Sequence, residues 1–464
     1  MFTAGAANTV SRGVLWINTK QGSKICKNFI AYAMRNSVAI VSRSDTSQPN
    51  AYDSSSVVCT LSAHKGRINA LTHFIESTDE GALLIHIITA DDEGVVQVWS
   101  HDAAAPLTEW TKGDCLPGLK ASSTTVICLQ TNRGVIITAS DSEGKIVIWS
   151  RRSSASCCFT IVDEWKMTPS QMAYSLCLHL LPCQMNVILF MGSVDARIYV
   201  RVANLETIFQ AGVVDVFMRV GGGYLSGHEE WVSCLSAVNC NDEGSGVICM
   251  FASGSQDSKI RIWKIKGQIN SNKNIDKNIA ATSLSSSAVV DTLYNDDVDV
   301  IDADDGEIEK GGIYEEEDDL SEARLQVTTS VCADGNSFTY SFYLESLLVG
   351  HEDWVTSVIW MPRPRSSLEG SGSSSGNGSG STDDTVIIDL RPSLDLRPSS
   401  KPPLQLEHTN SLRLFSSSMD RNMVIWEIDK AIIGGMWSPV IRVGDMGGDI
   451  GGSIGANLLV RSQL

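Results

Sequence analysis

The sequence has 464 residues and twelve cysteines, yet no Cys-x-x-Cys pair. Thiolate metal sites need clustered ligands, so no metal site is expected. The cysteines are scattered, and several, such as Cys177, Cys234 and Cys249, lie inside apolar strand-like runs. They read as buried free thiols of a reducing compartment. A cytoplasmic location follows as an expectation, with the nucleus as a second one. No apolar core of a signal peptide opens the chain. Long apolar runs are also missing. The most apolar stretch, Tyr174 to Val194, is broken by His179, Pro182 and Gln184. It reads as two strands and a turn, so no membrane span is expected.

An excess of base is absent as well. The formal net charge is -18, and it is unevenly spread. Between Asp291 and Glu322 fifteen acidic residues face one base, Lys310, which leaves only -4 for all the rest. A near-neutral body carries no electrostatic footprint for a phosphate backbone, and no basic-aromatic stripe is visible. Direct contact with nucleic acid is therefore not expected. No nucleophile–base motif or phosphate-cradling loop is marked. The expectation is a protein without enzymatic activity and without a cofactor.

What the sequence does contain is a repeat. The stretch "LSGHEEWVSCLSAV" from Leu225 returns as "LVGHEDWVTSVIW" from Leu348. Downstream of each lies a strand–turn–strand unit ending in Trp: Trp263 for the first and Trp426 for the second. Similar units hold Trp99 and Trp149; "LFMGSVDARIYVRV" puts Arg201 in the Trp place, and "AYAMRNSVAIVS" is a weaker sixth copy. Alternation of period two marks half-buried or sandwiched strands. His64 precedes Trp99 by 35 residues and His228 precedes Trp263 by 35; from His351 to Trp426 the spacing is 75, stretched by a low-complexity insertion.

Between His and Trp there is room for two strands, and four strands per unit make the blade of a β-propeller. The Gly-His…Trp signature resembles that of WD repeats. The fold class expected is all-β: a WD-repeat β-propeller over residues 10–464, with six recognisable blades of a usual seven. A seventh would begin at "GGSIGANLLVRSQL" and be incomplete, so a truncated propeller is expected. Two segments read as disordered insertions within the propeller. One is acidic and covers 267–336. The other, at 362–410, is rich in Ser and Gly and interrupts blade six.

The resemblance to WD repeats implies a hydrogen-bonded set joining His, a strand Ser or Thr, a turn Asp and Trp. Its best-formed copies are His228, Ser253 or Ser255, Asp257 and Trp263, and His351, Ser416 or Ser418, Asp420 and Trp426. Both Asp-to-Trp spacings are six. In blades two and three that position holds Glu93 or Glu143, followed by Gly94 or Gly144. The longer acid implies looser networks around His64, Trp99 and Trp149. By position, Glu229, Trp231, Gln256, Glu352, Trp354 and Met419 are candidates for partner binding. Trp231 and Trp354 could instead pack between blades, and both readings stay open here.

The order "FASGSQDSKIRIWKI", charged insertion, "LVGHEDWVTSVIW", "SSSMDRNMVIWEI" and "GGMWSPVIRVGDMGG" is more specific than a generic repeat. It resembles the first propeller of the WD-repeat subunit of the Elongator complex, over most of residues 10 to 455. That resemblance implies a non-catalytic scaffold in an assembly that helps to modify wobble uridines of transfer RNA. It implies contacts to the large Elongator scaffold subunit and to the radical-SAM and acetyl-transfer catalytic subunit. The alternative is another WD-repeat adaptor, such as a ubiquitin-ligase substrate receptor or a histone-tail reader.

Overall fold

The computed structural model describes residues 13–21, 24–42, 56–77, 81–152, 158–183, 185–210, 216–242, 246–270, 325–330, 337–362, 412–429 and 436–444. Within them the chain forms six antiparallel sheets, five of them meanders of four consecutive strands. Blade one holds β1 (Val14–Gln21), β2 (Lys24–Met34), β3 (Ser37–Ser42) and β4 (Ser56–Ser62). Blade two holds β5 (Ile68–Ser77), β6 (Leu83–Asp91), β7 (Val96–Asp102) and β8 (Thr111–Leu116). Blade three holds β9 (Ser123–Gln130), β10 (Gly134–Asp141), β11 (Lys145–Arg152) and β12 (Thr160–Lys166). Blade four holds β13 (Ala173–Leu180), β14 (Asn186–Ser193), β15 (Ile198–Asn204) and β16 (Met218–Leu225). The stretch read from sequence as two strands and a turn is β13 and β14.

Blade five has five strands: β17 (Val232–Asp242), β18 (Val247–Ser255), β19 (Lys259–Asn270), β20 (Leu325–Ser330) and β21 (Ser337–Val349), in the order β17-β18-β19-β21-β20. Here the expected limits of the acidic insertion need correction. Strand β19 runs on to Asn270, paired with Ser337, and Leu325–Ser330 pairs with β21 at the blade's edge. As the fourth strand of the blade, β21 has a second edge that β19 does not use, and part of it is taken up by a run of strand-forming residues, Leu-Gln-Val-Thr-Thr-Ser. Blade six holds β22 (Val355–Pro362), β23 (Leu412–Ser418), β24 (Met423–Asp429) and β25 (Met436–Val443). Residues 271–324 and 363–411, which carry most of the two insertions, and the expected seventh blade at 451–464 lie outside the described residues.

The inner strands follow one another in space: β1 and β2 lie by β5, then β5 by β9, β9 by β13, β13 by β17, and β17 by β22. The core is accordingly a series of layers between neighbouring blades. Between blades four and five, Ile188, Phe190 and Val200 pack on Leu235, Phe251 and Trp263. Between blades five and six, Met250, Ile260 and Ile262 pack on Trp360, Leu414 and Trp426. Because both faces of a middle strand are covered, β10 and β14 are buried at every position. That explains why their sequences read as continuous apolar or small residues rather than strict alternation. Burying one large side chain contributes about 1.5–3 kcal/mol, so these layers outweigh any single hydrogen bond.

Candidate protein-binding face

The loops at one end of the blades are held by polar networks, which repeat with variations. In blade six, His351 Nδ1 lies 3.0 Å from Asp420 Oδ2, and His351 Nε2 lies 2.8 Å from Ser416 Oγ. Trp426 Nε1–H donates to the same Ser416 Oγ at 2.8 Å. A neutral imidazole closes this circuit. Nδ1–H donates to the carboxylate, Nε2 accepts the serine hydroxyl, and that oxygen accepts the indole N–H. Burial holds His351 below the usual imidazole range, against the opposing pull of Asp420. For Asp420 burial acts upward, but N–H donors of Glu352 and Asn422 together with His351 prevail and hold it below the usual carboxylate range.

Blade five repeats the set. His228 Nδ1 is 2.9 Å from Asp257 Oδ2, its Nε2 is 2.8 Å from Ser253 Oγ, and Trp263 Nε1–H donates to Ser253 at 3.1 Å. One residue is added that sequence reasoning missed. Arg261 places Nη1 2.7 Å from His228 Nδ1 and 3.2 Å from Asp257 Oδ2. Burial is the largest influence lowering His228, and the Arg261 charge adds to it. The serine choice is resolved in both blades. Ser253 and Ser416 take the ring nitrogen, whereas Ser255 and Ser418 donate to the carbonyls of Glu230 and Asp353 at 2.9 and 2.8 Å.

Blades two and three correct the expectation built on Glu93 and Glu143. His64 Nδ1 meets Asp91 Oδ2 at 2.7 Å, and His64 Nε2 meets Thr89 Oγ1 at 2.5 Å. Asp91 stands two residues before Glu93, in the place of Ser255. Its other oxygen accepts the N–H groups of Glu93 and Val95 at 3.0 and 2.8 Å. One short carboxylate thus caps the turn and holds the histidine, and Glu93 is left exposed. The blade-two network is no looser than the others. In blade three Asp141 caps the turn alike, through Glu143 and Lys145, while the Glu143 carboxylate pairs with Lys166 at the surface. This blade has Ala139 where the others have Thr89, Ser253 or Ser416. With no hydroxyl available, Trp149 Nε1–H donates to Pro117 O at 2.9 Å. In blade four the Tyr199 hydroxyl donates to the turn acid Asp195 at 2.7 Å.

Gly94 and Gly144 have their own reason. Both lie in the left-handed region, at φ 80° and 83°. A Cβ there would stand 2.6 Å from Ala121 O or 2.5 Å from Met167 O. Ala196, Ser258 and Arg421 fill the same turn position in blades four to six, at φ between 61° and 66°.

These networks fix the loops above them. Asp257 Oδ2 accepts the backbone N–H of Glu229, and Asp420 Oδ2 accepts that of Glu352, at 3.1 and 2.9 Å. Gln256 N–H donates to Trp231 O and Met419 N–H to Trp354 O. All six partner-binding candidates therefore sit at one end of blades five and six. Trp231 and Trp354 are 38% and 49% exposed, and Met419 is 39% exposed. So neither tryptophan is sealed between blades. Trp231 does touch blade four, with its rings 5.7 Å from Tyr174, a neighbour the sequence did not signal. Glu229 and Glu352 are exposed and Gln256 is half-buried. Glu229 Oε1 accepts from Lys259 Nζ at 2.7 Å.

Cys234, Cys240 and Cys249 are buried. Burial pushes the Cys249 thiol well up, so it is no ready nucleophile. No group of three or more His, Cys, Asp or Glu able to hold a metal occurs among the described residues. No helix among them is long and apolar enough to cross a membrane.

Four-stranded antiparallel blades, stacked face to face and pinned by His–Asp–Ser–Trp sets, define a WD-repeat β-propeller. The WD domain, G-beta repeat family matches residues 222–264. The chain is similar over nearly its whole length to one protein in particular, Elongator complex protein 2. It is 22% identical to that of Dictyostelium discoideum over 85% of this chain and 38% of the relative. For the Homo sapiens relative the values are 22%, 84% and 35%. For the Saccharomyces cerevisiae relative they are 20%, 90% and 38%. The chain spans well under half the length of the relatives it matches, 35–39% of them.

Proposed function

We propose that the chain is a non-catalytic scaffold of an Elongator-like complex, acting through protein–protein contacts in support of wobble-uridine modification of transfer RNA. The observation that carries this reading is similarity to proteins named Elongator complex protein 2 across 84–90% of the chain. The exposed Trp354, Trp231 and Met419 support an adhesive role, since aromatic residues and methionine are enriched in interface cores. The partners are the large Elongator scaffold subunit and the radical-SAM and acetyl-transfer catalytic subunit. The assembly works in the cytoplasm, with a share in the nucleus.

The test is affinity purification of the tagged chain from its own cells, followed by mass spectrometry. Co-purification of both subunits is the expected result. Recovery of cullin-linked or chromatin proteins in their place would replace the proposal with another adaptor role.

A further inference from the structure

One backbone hydrogen bond recurs at the same end of five successive blades. In each, the residue just before the inner strand offers its carbonyl to the turn that follows the second strand. The pairs are Asp92 N–H to Arg67 O (2.9 Å), Ser142 to Ser122 (2.8 Å), Val194 to Met172 (3.3 Å), Gln256 to Trp231 (3.0 Å) and Met419 to Trp354 (2.9 Å). This common geometry makes the ten residues comparable, and their chemistry divides. Blades two and three present Arg67, Asp92, Ser122 and Ser142. Blades four to six present Met172, Val194, Trp231, Gln256, Trp354 and Met419. Propeller blades need only small polar residues here, as blade three demonstrates. Two half-exposed tryptophans on adjacent blades are not demanded by the fold.

Each tryptophan follows a pair of acids: Glu229 and Glu230 before Trp231, Glu352 and Asp353 before Trp354. All four acids are exposed. Positive groups reach the same loops, but most are already committed: Arg261 donates to Gly227 O and lies against His228 and Asp257, and Arg442 donates to Gly350 O at 2.6 Å. Lys259 is engaged by Glu229, Arg421 lies at the blade-six turn, and Arg197 on blade four stacks over Tyr224 at 4.2 Å. The result is an aromatic arc with a carboxylate fringe, carried on loops that the His–Asp pairs already hold in place.

We infer that this arc binds an extended segment of a partner protein bearing arginine or lysine side chains. A cation over an indole face gains from the ring's quadrupole, and arginine does so most often. The neighbouring carboxylates add attraction and disfavour acidic competitors. The long apolar stem of the same side chain covers Met419 or Trp354 while its charged head reaches Glu352 or Glu230. Because the loops are pinned, little ordering cost is left to binding. The inference rests on the scaffold reading of this face and adds the partner's chemistry.

The probes are two labelled ten-residue peptides, one alternating Arg and Ser, the other Glu and Ser, titrated into the purified chain by fluorescence anisotropy. The Arg peptide is expected to bind and the Glu peptide to fail. Trp354→Ala should weaken the Arg peptide about three- to thirtyfold. Glu230→Gln with Glu352→Gln should weaken it about two- to tenfold and flatten its salt dependence. These two carboxylates face solvent, so the pair keeps the test open should the tryptophan variant unfold. Lys112→Ala, on the outer strand of blade two, should change nothing. Equal binding of both peptides, or unchanged affinity in the folded variants, overturns the inference. Arg-peptide binding without co-purified Elongator subunits overturns only the scaffold identity. Co-purification without peptide discrimination overturns only the basic-partner assignment.

Discussion

Asp91, and not Glu93, holds His64: the ring Nδ1 stands 2.7 Å from Asp91 Oδ2 while the Glu93 side chain lies exposed. Asp91→Ala should cost about 1–3 kcal/mol, since it leaves a buried imidazole N–H unpaired and frees the turn. Glu93→Ala should stay within about 0.5 kcal/mol. Urea unfolding of both variants separates the two positions. Equal effects would return the role to Glu93.

His351→Ala and Asp420→Ala should each lower the stability of blade six by about 1–3 kcal/mol. The pair is in direct contact, so the double variant should cost less than the two single losses added together. A double-mutant cycle by thermal or chemical unfolding checks both statements. Unchanged unfolding in the single variants would count against the network.

Thr138 offers the opposite case. Its hydroxyl is buried in β10 and makes no hydrogen bond, whereas Ser253 Oγ serves both His228 and Trp263. Thr138→Val should therefore leave stability unchanged or raise it by up to about 1 kcal/mol, and Ser253→Ala should lower it. Denaturation midpoints that move in the same direction for both would refute this.

Acid should destabilise the fold. Burial holds His228, His351 and His179 below the free imidazole range and pushes His73 down to about 4. The unfolded chain therefore binds these protons more tightly than the native one. The stability these groups give is complete above about pH 6.5 and is lost as pH falls toward their folded values. Asp257 and Asp420, also held low, extend the loss below about pH 4. A scan of thermal midpoints from pH 8 to pH 4 should stay near its maximum down to about pH 6.5 and fall below it, and His351→Gln should make the falling limb shallower. A midpoint that stays flat or rises on acidification would reverse the sign.

The repeat was legible in the sequence because a blade is a local object. The first three strands of every blade are consecutive in the chain, so the apolar runs, turn acids and terminal Trp recur at near-constant spacing, and Trp99, Trp149, Trp263 and Trp426 mark four blades without any structure. Even the hydroxyl partners were within reach: Thr89, Ser253 and Ser416 each stand ten residues before the Trp whose indole they accept. That same count shows Ala139 in blade three, and so a missing acceptor.

What replaced the acceptor was not legible. Pro117 lies 32 residues from Trp149 along the chain, and the carbonyl reaches the indole only once the sheet is assembled. Spacing counted from Trp also selected Glu93. Only the folded turn put the shorter Asp91 under His64, where one carboxylate can cap a turn and hold a ring. Strand β20 formed on the outer edge of β21, a partner that follows it in the chain. By itself the sequence determined the blade, its turns and its apolar faces, all set by residues close along the chain. The tertiary structure decided which polar atoms meet, and it gathered Trp231, Trp354 and Met419 at one end of neighbouring blades. Those are distances across sheets, and no local pattern encodes them.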